Sequence, residues 1–192
     1  MSMIGSILMN EIFNSHTVKS PSEILDRLNY LLQISLKKDD KIAIKDGMDI
    51  SLCAINLSPI NSITDTTKNN NCELQWAGAN NSLYIIKKDS KELIDVKADK
   101  QPIGFNDNVK PFTNHTIPLS YGDSVILYSD GLVDQFGGPK GKKFKHSQFK
   151  NILLSIASEP MKTQGEFIQT SFENWKGDLE QVDDVCIIGV RI

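Results

Sequence analysis

The residues best suited to chemistry in this sequence form two short acidic clusters. Asp130 follows the apolar run Val125–Tyr128 after one residue, Ser129, and Asp183 and Asp184 directly precede the apolar run Val185–Ile188. Both runs predict buried β-strands covered on both faces, because they are continuously apolar rather than alternating. If the two strands are antiparallel neighbours, the end of one lies beside the start of the other. The carboxylates would then meet at one edge of the sheet.

Carboxylate oxygens gathered in one place are the ligands that Mg²⁺ and Mn²⁺ prefer, so the pattern predicts a metal site at Asp130, Asp183 and Asp184. Gly131 would let the backbone turn sharply beneath an ion. The spacing alone leaves an ordinary explanation open. Asp-Gly after a strand is a common turn sequence, and Asp-Asp before a strand also occurs in solvated loops.

The elements that must position these carboxylates are indicated by hydrophobic periodicity. Apolar residues at helical spacing predict four helices: over Met1–Asn14, from Ser20 onward, around 149–156 and around 168–175. Ser20, Pro21 and Glu23 form a capping sequence for the second helix. On the first helix the spacing predicts one apolar face, made of Ile4, Ile7, Leu8 and Ile12.

Between the second and third helices the period changes to that of β-strands. Short runs separated by turn-rich pieces predict an antiparallel meander: Ile50–Leu57, Glu73–Ala77, Leu83–Lys87 and Leu93–Val96. Asp46 and Asp49 stand at a strand start, where a turn role is expected. Sheets covered by helices on one side and by apolar residues on the other favour stacked layers. We therefore predict an α+β fold, a layered α/β/β/α sandwich of mainly antiparallel sheets.

The composition excludes several functional classes. With 21 Lys+Arg against 24 Asp+Glu and a net charge of −3, no basic face dominates, so we expect no nucleic-acid partner. There is no signal peptide and no apolar stretch of the roughly 18 residues that a membrane span needs, so we expect no membrane contact in this segment. Three cysteines without CxxC spacing favour a reducing compartment and a cytoplasmic location.

Several motifs occur in the order found in one known family. They are Asp46–Ile50, Trp76–Leu83, Pro102-Ile103-Gly104, Gly122-Asp123, Tyr128-Ser129-Asp130-Gly131 and Gln181-Val182-Asp183-Asp184-Val185. On these residues the sequence resembles the PPM-type serine/threonine phosphatases (the protein phosphatase 2C superfamily), and within them the bacterial SpoIIE-like branch. The agreement covers nearly the whole chain, and it is far more specific than any single motif.

The resemblance implies a β-sandwich flanked by helices and a site with two Mn²⁺ or Mg²⁺ ions, which hydrolyses phosphoserine or phosphothreonine on a protein. Carried over by position, Asp130 and Asp183 are metal ligands. Asp184 stands where relatives often have Asn, so it is either a ligand or a residue that supports Asp183. The implied substrate is a small phosphorylated regulatory protein, such as an anti-sigma-factor antagonist in bacterial signalling.

The remaining ligands of the family lie upstream of the helix that resembles the start of this chain, and the sequence contains no Gly-His-Gly. We therefore expect residues 1–192 to form an N-terminally truncated SpoIIE-like domain that lacks the first strands. His16, His115 and His146 lack the paired spacing of metal ligands. Such a domain would bind metal weakly, leave a sheet edge open, and could form a homo-oligomer through that edge.

Two further interpretations accompany the phosphatase hypothesis. The segment Phe136–Phe144 could form a flap whose lysines, Lys140, Lys142 and Lys143, attract a phosphorylated substrate, although a solvated Gly-Pro turn explains the same composition. The alternative function is non-enzymatic: an inactive, truncated or degenerate phosphatase domain that binds a partner without turnover.

Overall fold

The computed structural model describes residues 2–15, 18–36, 47–56, 72–88, 92–104 and 109–192, so the predictions for Asp46 and His16 lie outside the described residues. The helices are α1 (Ser2–Ser15), α2 (Pro21–Leu36), α3 (Gly131–Asp134), α4 (Lys145–Ser155) and α5 (Met161–Lys176). The strands are β1 (Gly47–Met48), β2 (Ile50–Asn56), β3 (Cys72–Ala79), β4 (Leu83–Ile86), β5 (Leu93–Val96), β6 (Ile103–Gly104), β7 (His115–Leu119), β8 (Ser124–Tyr128), β9 (Phe136–Gly137), β10 (Lys142–Lys143) and β11 (Ile187–Arg191). The chain divides into two compact units, Met1–Ser82 with Lys97–Leu119 and Leu83–Val96 with Ser120–Ile192.

The first unit is built on a three-stranded antiparallel sheet in the order β2-β3-β7. Helix α2 packs against it through leucines that are fully buried: Leu25, Leu28 and Leu32. The predicted cap of α2 is present, because Glu23 N–H donates to Ser20 Oγ at 3.4 Å and Lys19 N–H donates to Glu23 Oε2 at 2.7 Å. The first bond satisfies an amide that the first turn of a helix leaves unpaired, and the second ties the residue before the cap to the Glu23 carboxylate.

The buried face of α1 differs from the predicted one. Ile12 is buried and Leu8 packs against the same cluster, but Ile4 and Ile7 are 41% and 61% exposed. Gly5 is buried instead, three and seven residues before Leu8 and Ile12, and Met48 lies directly over it. The prediction for Ile4 and Ile7 is wrong because apolar residues occur on more than one side of this helix, so spacing alone does not select the buried side.

The Pro102-Ile103-Gly104 motif fastens α2 to the short β1–β6 pair. Gly104 N–H donates to Asn29 Oδ1 at 2.8 Å, and Gln33 Nε2 donates to the Gly104 carbonyl at 3.1 Å. Ile103 between them is fully buried. Within the first unit this motif therefore serves packing, because the N–H and the carbonyl of Gly104 both bond to side chains of α2.

The second unit contains a four-stranded antiparallel sheet in the order β11-β8-β4-β5. One face of this sheet carries Tyr84, Ile126 and Tyr128. That face packs against residues of α4 and α5 at the predicted helical spacing: Phe149, Leu153, Ile168 and Phe172. Both predicted helical stripes are confirmed, and they cover the strands that lead to the acidic clusters.

Strand β11 departs from the prediction that both its faces are covered. It begins at Ile187 rather than Val185, and among the described strands it forms an edge of its sheet. Ile187 packs against the helix-facing cluster, whereas Ile188 and Val190 are 52% and 38% exposed. Ile188 and Val190 alternate with Ile187 along the strand, so they lie on the face away from the helices, and that face of β11 is the less covered one.

Every strand pairing in the described part of the chain is antiparallel, apart from one isolated parallel bridge between Ala79 and Asp99. The prediction of a mixed helical fold with mainly antiparallel sheets is confirmed. None of the described helices has both the length and the apolar character needed to cross a bilayer.

Candidate functional site

The two acidic clusters are brought together by the pairing of β8 with β11. The strands are antiparallel, with Tyr128 opposite Ile187 and Ser124 opposite Arg191. The residues that follow Tyr128 therefore lie beside the residues that precede Ile187. The structure confirms the predicted neighbourhood of Asp130 with the Asp183-Asp184 pair.

Ser129 ties the two segments together at this point. Its N–H donates to the Cys186 carbonyl at 2.9 Å, and its hydroxyl accepts the Cys186 N–H at 2.9 Å. The same hydroxyl donates to the Asp184 carbonyl at 2.8 Å. One serine thus makes three bonds to the backbone that follows Asp183, so the position of that backbone is coupled to the residue next to Asp130.

Gly131 allows the closest approach between the clusters. A Cβ at this position would lie 2.9 Å from the Asp184 carbonyl carbon and 3.1 Å from the Asp183 carbonyl oxygen, and closer still to the Asp184 carbonyl oxygen. Helix α3 begins at Gly131, which is not among the glycines with positive φ. Glycine is required at this position as predicted. The reason is that a side chain would collide with the backbone of Asp183 and Asp184, and not that the backbone adopts a positive φ.

The loop that carries Asp183 and Asp184 is ordered by its own hydrogen bonds. Asp184 N–H donates to Asp183 Oδ1 at 2.7 Å, and Gln181 Nε2 donates to the Asp183 carbonyl at 2.8 Å. The side chains of Asp130, Asp183 and Asp184 all belong to exposed residues. Exposed carboxylates at the end of a buried strand are accessible to a ligand from solvent.

Gln135 contacts this loop and was not singled out by the sequence. It is fully buried, and its Nε2 donates to the Glu180 carbonyl at 2.9 Å and to the Phe136 carbonyl at 3.0 Å. Its Oε1 accepts the Val182 N–H at 3.0 Å. The local signal is weak, because one glutamine beside apolar residues does not reveal a partner more than forty positions away.

The carboxylate donors of the acidic site suit a hard divalent ion, but they are too few to complete its coordination shell. In the ranges that the structure describes, no group of three or more His, Cys, Asp or Glu side chains is arranged to hold a metal ion. Mg²⁺ and Mn²⁺ bind about six oxygen ligands, and two such ions need more than three aspartates supply. The described residues therefore provide part of a donor set and do not form a two-ion centre by themselves.

The three lysines of the Phe136–Phe144 segment lie in or beside a short hairpin formed by β9 and β10. The hairpin is attached to α5, since Gly138 N–H donates to the Trp175 carbonyl at 2.8 Å. Lys143 Nζ pairs with Asp134 Oδ2 at 2.9 Å, whereas Lys140 and Lys142 are exposed. The segment is thus a docked turn that leads into α4, with two lysines directed outward and one bonded to α3.

Behind the acidic edge, Tyr128 and Tyr84 stack with ring centroids 4.7 Å apart, and the Tyr84 hydroxyl lies 3.0 Å from His146 Nδ1. Burial raises the pKa of Tyr84 to about 12, and burial followed by its contact with Tyr84 raises the pKa of Tyr128. His146 is therefore a hydrogen-bond partner of two buried tyrosines.

The Gly122-Asp123 motif lies at the opposite end of β8 from Asp130. Asp123 is almost fully buried and accepts bonds from Lys87 Nζ at 2.8 Å, Lys88 N–H at 3.0 Å and Ser120 N–H at 2.9 Å. Burial opposes ionisation of this carboxyl, but Lys87 and the two amides outweigh it and lower its pKa. Asp123 therefore stabilises the turn before β8 and is separated from the acidic edge by the length of that strand.

Comparison with solved structures places this arrangement among the PP2C-type protein phosphatase domains. The chain is similar to the SiaA-PP2C domain of Pseudomonas aeruginosa, with 25% identity and a TM-score of 0.77, covering 100% of this chain and 69% of that one. A structure of the RsbU and RsbW domains of Rv1364c from Mycobacterium tuberculosis has 17% identity and a TM-score of 0.64, covering 97% of this chain and 45% of that one. The serine/threonine phosphatase PstP/Ppp of Mycobacterium tuberculosis has 14% identity and a TM-score of 0.56, with coverages of 97% and 80%. The last two likenesses show the fold.

The family itself is shown by the sequence. A family model for stage II sporulation protein E (SpoIIE) matches residues 1–192, so the chain belongs to the SpoIIE family. No curated protein matches the sequence. The predicted resemblance to the SpoIIE-like branch is thereby confirmed, and the family implies a protein phosphatase.

Proposed function

We propose that this chain contributes to metal-dependent hydrolysis of phosphoserine or phosphothreonine on a protein, with Asp130 and Asp183 as ligands of Mn²⁺ or Mg²⁺ and Asp184 beside them. The observation that carries the proposal is the convergence of the two acidic clusters at one sheet edge, fixed by Ser129 and by the close approach at Gly131. The remaining oxygen donors would come from outside the described residues. Membership of the SpoIIE family supports the reaction class.

The proposed substrate is a small phosphorylated regulatory protein, such as an anti-sigma-factor antagonist. The exposed side chains of Lys140 and Lys142 support a phosphorylated partner, because exposed cations raise the local concentration of an anionic protein; the choice of a small regulatory protein rests on membership of the SpoIIE family. Lys143 contributes differently. Its ion pair with Asp134 joins the hairpin to α3, which directly follows Asp130.

A second candidate function is favoured by the incomplete donor set described above. Under it, the chain retains the phosphatase scaffold and binds a protein partner without turnover. Besides the edge expected from the missing N-terminal strands, β11 is an edge among the described strands, and its exposed Ile188 and Val190 lie on a surface at which a second copy of the chain could pair. Sedimentation of the purified chain tests this pairing, which a monodisperse monomer at high concentration would contradict.

The two functions are separated by a phosphatase assay on a phosphoserine protein with and without Mn²⁺. If the first is correct, Asp130→Asn and Asp183→Asn each reduce phosphate release by at least about 10–100-fold, the range found when support of a bound metal is lost. Asp178→Asn is the matched control, because Asp178 is an exposed aspartate with no part in the proposed site. Activity that persists in both site variants, or Mn²⁺ binding that they leave unchanged, would contradict the assignment of these ligands.

A further inference from the structure

We infer that Gln135 positions the 180–184 loop and thereby sets where Asp183 and Asp184 stand relative to Asp130. The side chain of Gln135 spans Gln181 on that loop, accepting Val182 N–H and donating to the Glu180 carbonyl. These two bonds follow the pattern of a parallel sheet, in which one residue bonds to the two residues that flank its partner, here Gln181. The amide thus replaces a strand partner for a stretch of loop that has no strand of its own.

Gln135 is itself held rigidly. Its carbonyl accepts Trp175 Nε1–H at 3.2 Å from α5 and Phe144 N–H at 2.9 Å from the start of α4. The remaining hydrogen of its side-chain amide is used by the Phe136 carbonyl. A fully buried amide with all its groups bonded has one favourable orientation, so it transmits its position to the loop.

The place of Gln135 in the chain connects it to Asp130. Helix α3 spans four residues, with Asp130 immediately before it and Gln135 immediately after it. A single helical turn therefore separates the aspartate from the residue that holds the opposing loop. Ser129 clamps the loop on the far side of Asp183 and Asp184, and Gln135 clamps it on the near side. The acidic pair lies between two attachments to one segment.

Glutamine is the side chain that this geometry requires. Asparagine is one methylene shorter and would not reach both Glu180 and Val182. Glutamate could accept the Val182 N–H, but it would place a buried charge against the Glu180 carbonyl, which is also an acceptor. Methionine has similar length and volume and can make neither bond, so Gln135→Met removes the hydrogen bonds with little change in packing.

The test compares Gln135→Met with Gln164→Met in the full 192-residue chain. Gln164 is the matched control, since it is 2% exposed and its Nε2 donates to the carbonyls of Ala157 and Glu159, away from the loop. Both variants lose buried amide bonds, so both should lose some thermal stability. Hydrogen exchange at the Asp184 and Cys186 amides is the deciding measurement, because neither amide is bonded to Gln135 and a general loss of stability would affect the two variants alike.

If Gln135 positions the loop, the exchange rate at these amides rises at least about tenfold in Gln135→Met, because exchange reports local opening of the loop. In Gln164→Met the rate stays near that of the wild type. Equal exchange in the two variants would overturn the inference. If Gln135→Met does not fold, Gln135→Asn replaces it, with the same readout and the same expected direction.

Titration with Mn²⁺ alone adds a second readout, which rests on the proposed function. Mn²⁺ affinity should fall about 10–100-fold in Gln135→Met and stay unchanged in Gln164→Met. A wild-type chain that binds no Mn²⁺ would contradict the proposed function and leave the exchange result to decide the role of Gln135. Weakened Mn²⁺ binding without increased loop exchange would show that Gln135 does not act through the loop.

Discussion

Replacing Gly131 with alanine is the most direct test of how closely the two acidic clusters approach. The added Cβ would lie 2.9 Å from the Asp184 carbonyl carbon, whereas ordinary van der Waals contact begins at 3.4 Å. The Asp184 carbonyl oxygen would lie closer still, so the loop must retreat by more than about 0.5 Å (3.4 − 2.9), or the start of α3 must move by as much. The obstacle is backbone, so no side-chain rotation relieves it.

The expected cost follows from the kind of contact. Overfilling a well-packed position destabilises a protein by about 1–3 kcal/mol. For a chain of this size each kcal/mol lowers Tm by roughly 2–4 °C, so Gly131→Ala should lower Tm by roughly 2–12 °C. Displacement of Asp184 should also weaken the bond from Ser129 to its carbonyl and the neighbouring bond from Cys186 N–H. Faster hydrogen exchange at Cys186 is therefore expected together with the lower Tm.

Gly165→Ala is the matched control. Gly165 lies inside α5, and a Cβ there would meet nothing within 4 Å. Since alanine favours a helix over glycine by about 1 kcal/mol, this variant should be more stable than wild type. Thermal and denaturant unfolding of both variants give the comparison. If Gly131→Ala were as stable as Gly165→Ala, with unchanged exchange at Cys186, the close approach of the two clusters would be refuted.

Two further outcomes follow from the buried ionisable groups. Asp123→Asn should cost about 1.5–3 kcal/mol at pH 7, because it removes the charge from the buried acceptor of the Lys87 Nζ bond. Asp123 has a lowered pKa in the folded state, so its contribution is present above the unfolded value of 3.8 and is lost as the pH falls through the folded value. Denaturation at several pH values should show the difference between wild type and variant shrinking below about pH 4, and a constant difference would contradict this. Tyr84→Phe should remove one tyrosine that titrates near pH 12 in ultraviolet difference spectra. If the variant still showed the same titration near pH 12, the burial of Tyr84 would be contradicted.

The positions of Asp130 and Asp183 could be inferred from sequence because they depend on local signals. Each lies at one end of a continuously apolar run, and antiparallel pairing of two such runs brings those ends together. The cap of α2 was predictable for the same reason, since Ser20 and Glu23 lie three residues apart. Signals within a few residues are what periodicity and capping rules detect.

The errors and omissions concern contacts with residues far along the chain. Ile4 and Ile7 satisfy helical spacing as well as Leu8 does, and contacts with other elements select Leu8. Ile188 is as apolar as Ile187, but its exposure depends on which face of β11 the helices cover. Gln135 was overlooked because its partners, Glu180 and Val182, are more than forty residues away. Contacts between residues far apart in the chain cannot be predicted from the spacing of neighbouring residues.

Strand β8 has one family motif at each end. The motif at its start concerns the scaffold, and the motif after its end concerns the proposed site. Asp123, at its start, is held by Lys87 and by backbone amides, and it serves the scaffold. Asp130, after its end, stands exposed beside the 180–184 loop. A homologue that lost the second aspartate and kept the first would still fold and still match the family. In a genome survey, the Gly-Asp motif therefore reports on the architecture. If Asp130 and Asp183 bind metal as proposed, the Ser-Asp-Gly and Asp-Asp motifs must be examined separately, because they carry the proposed ligands.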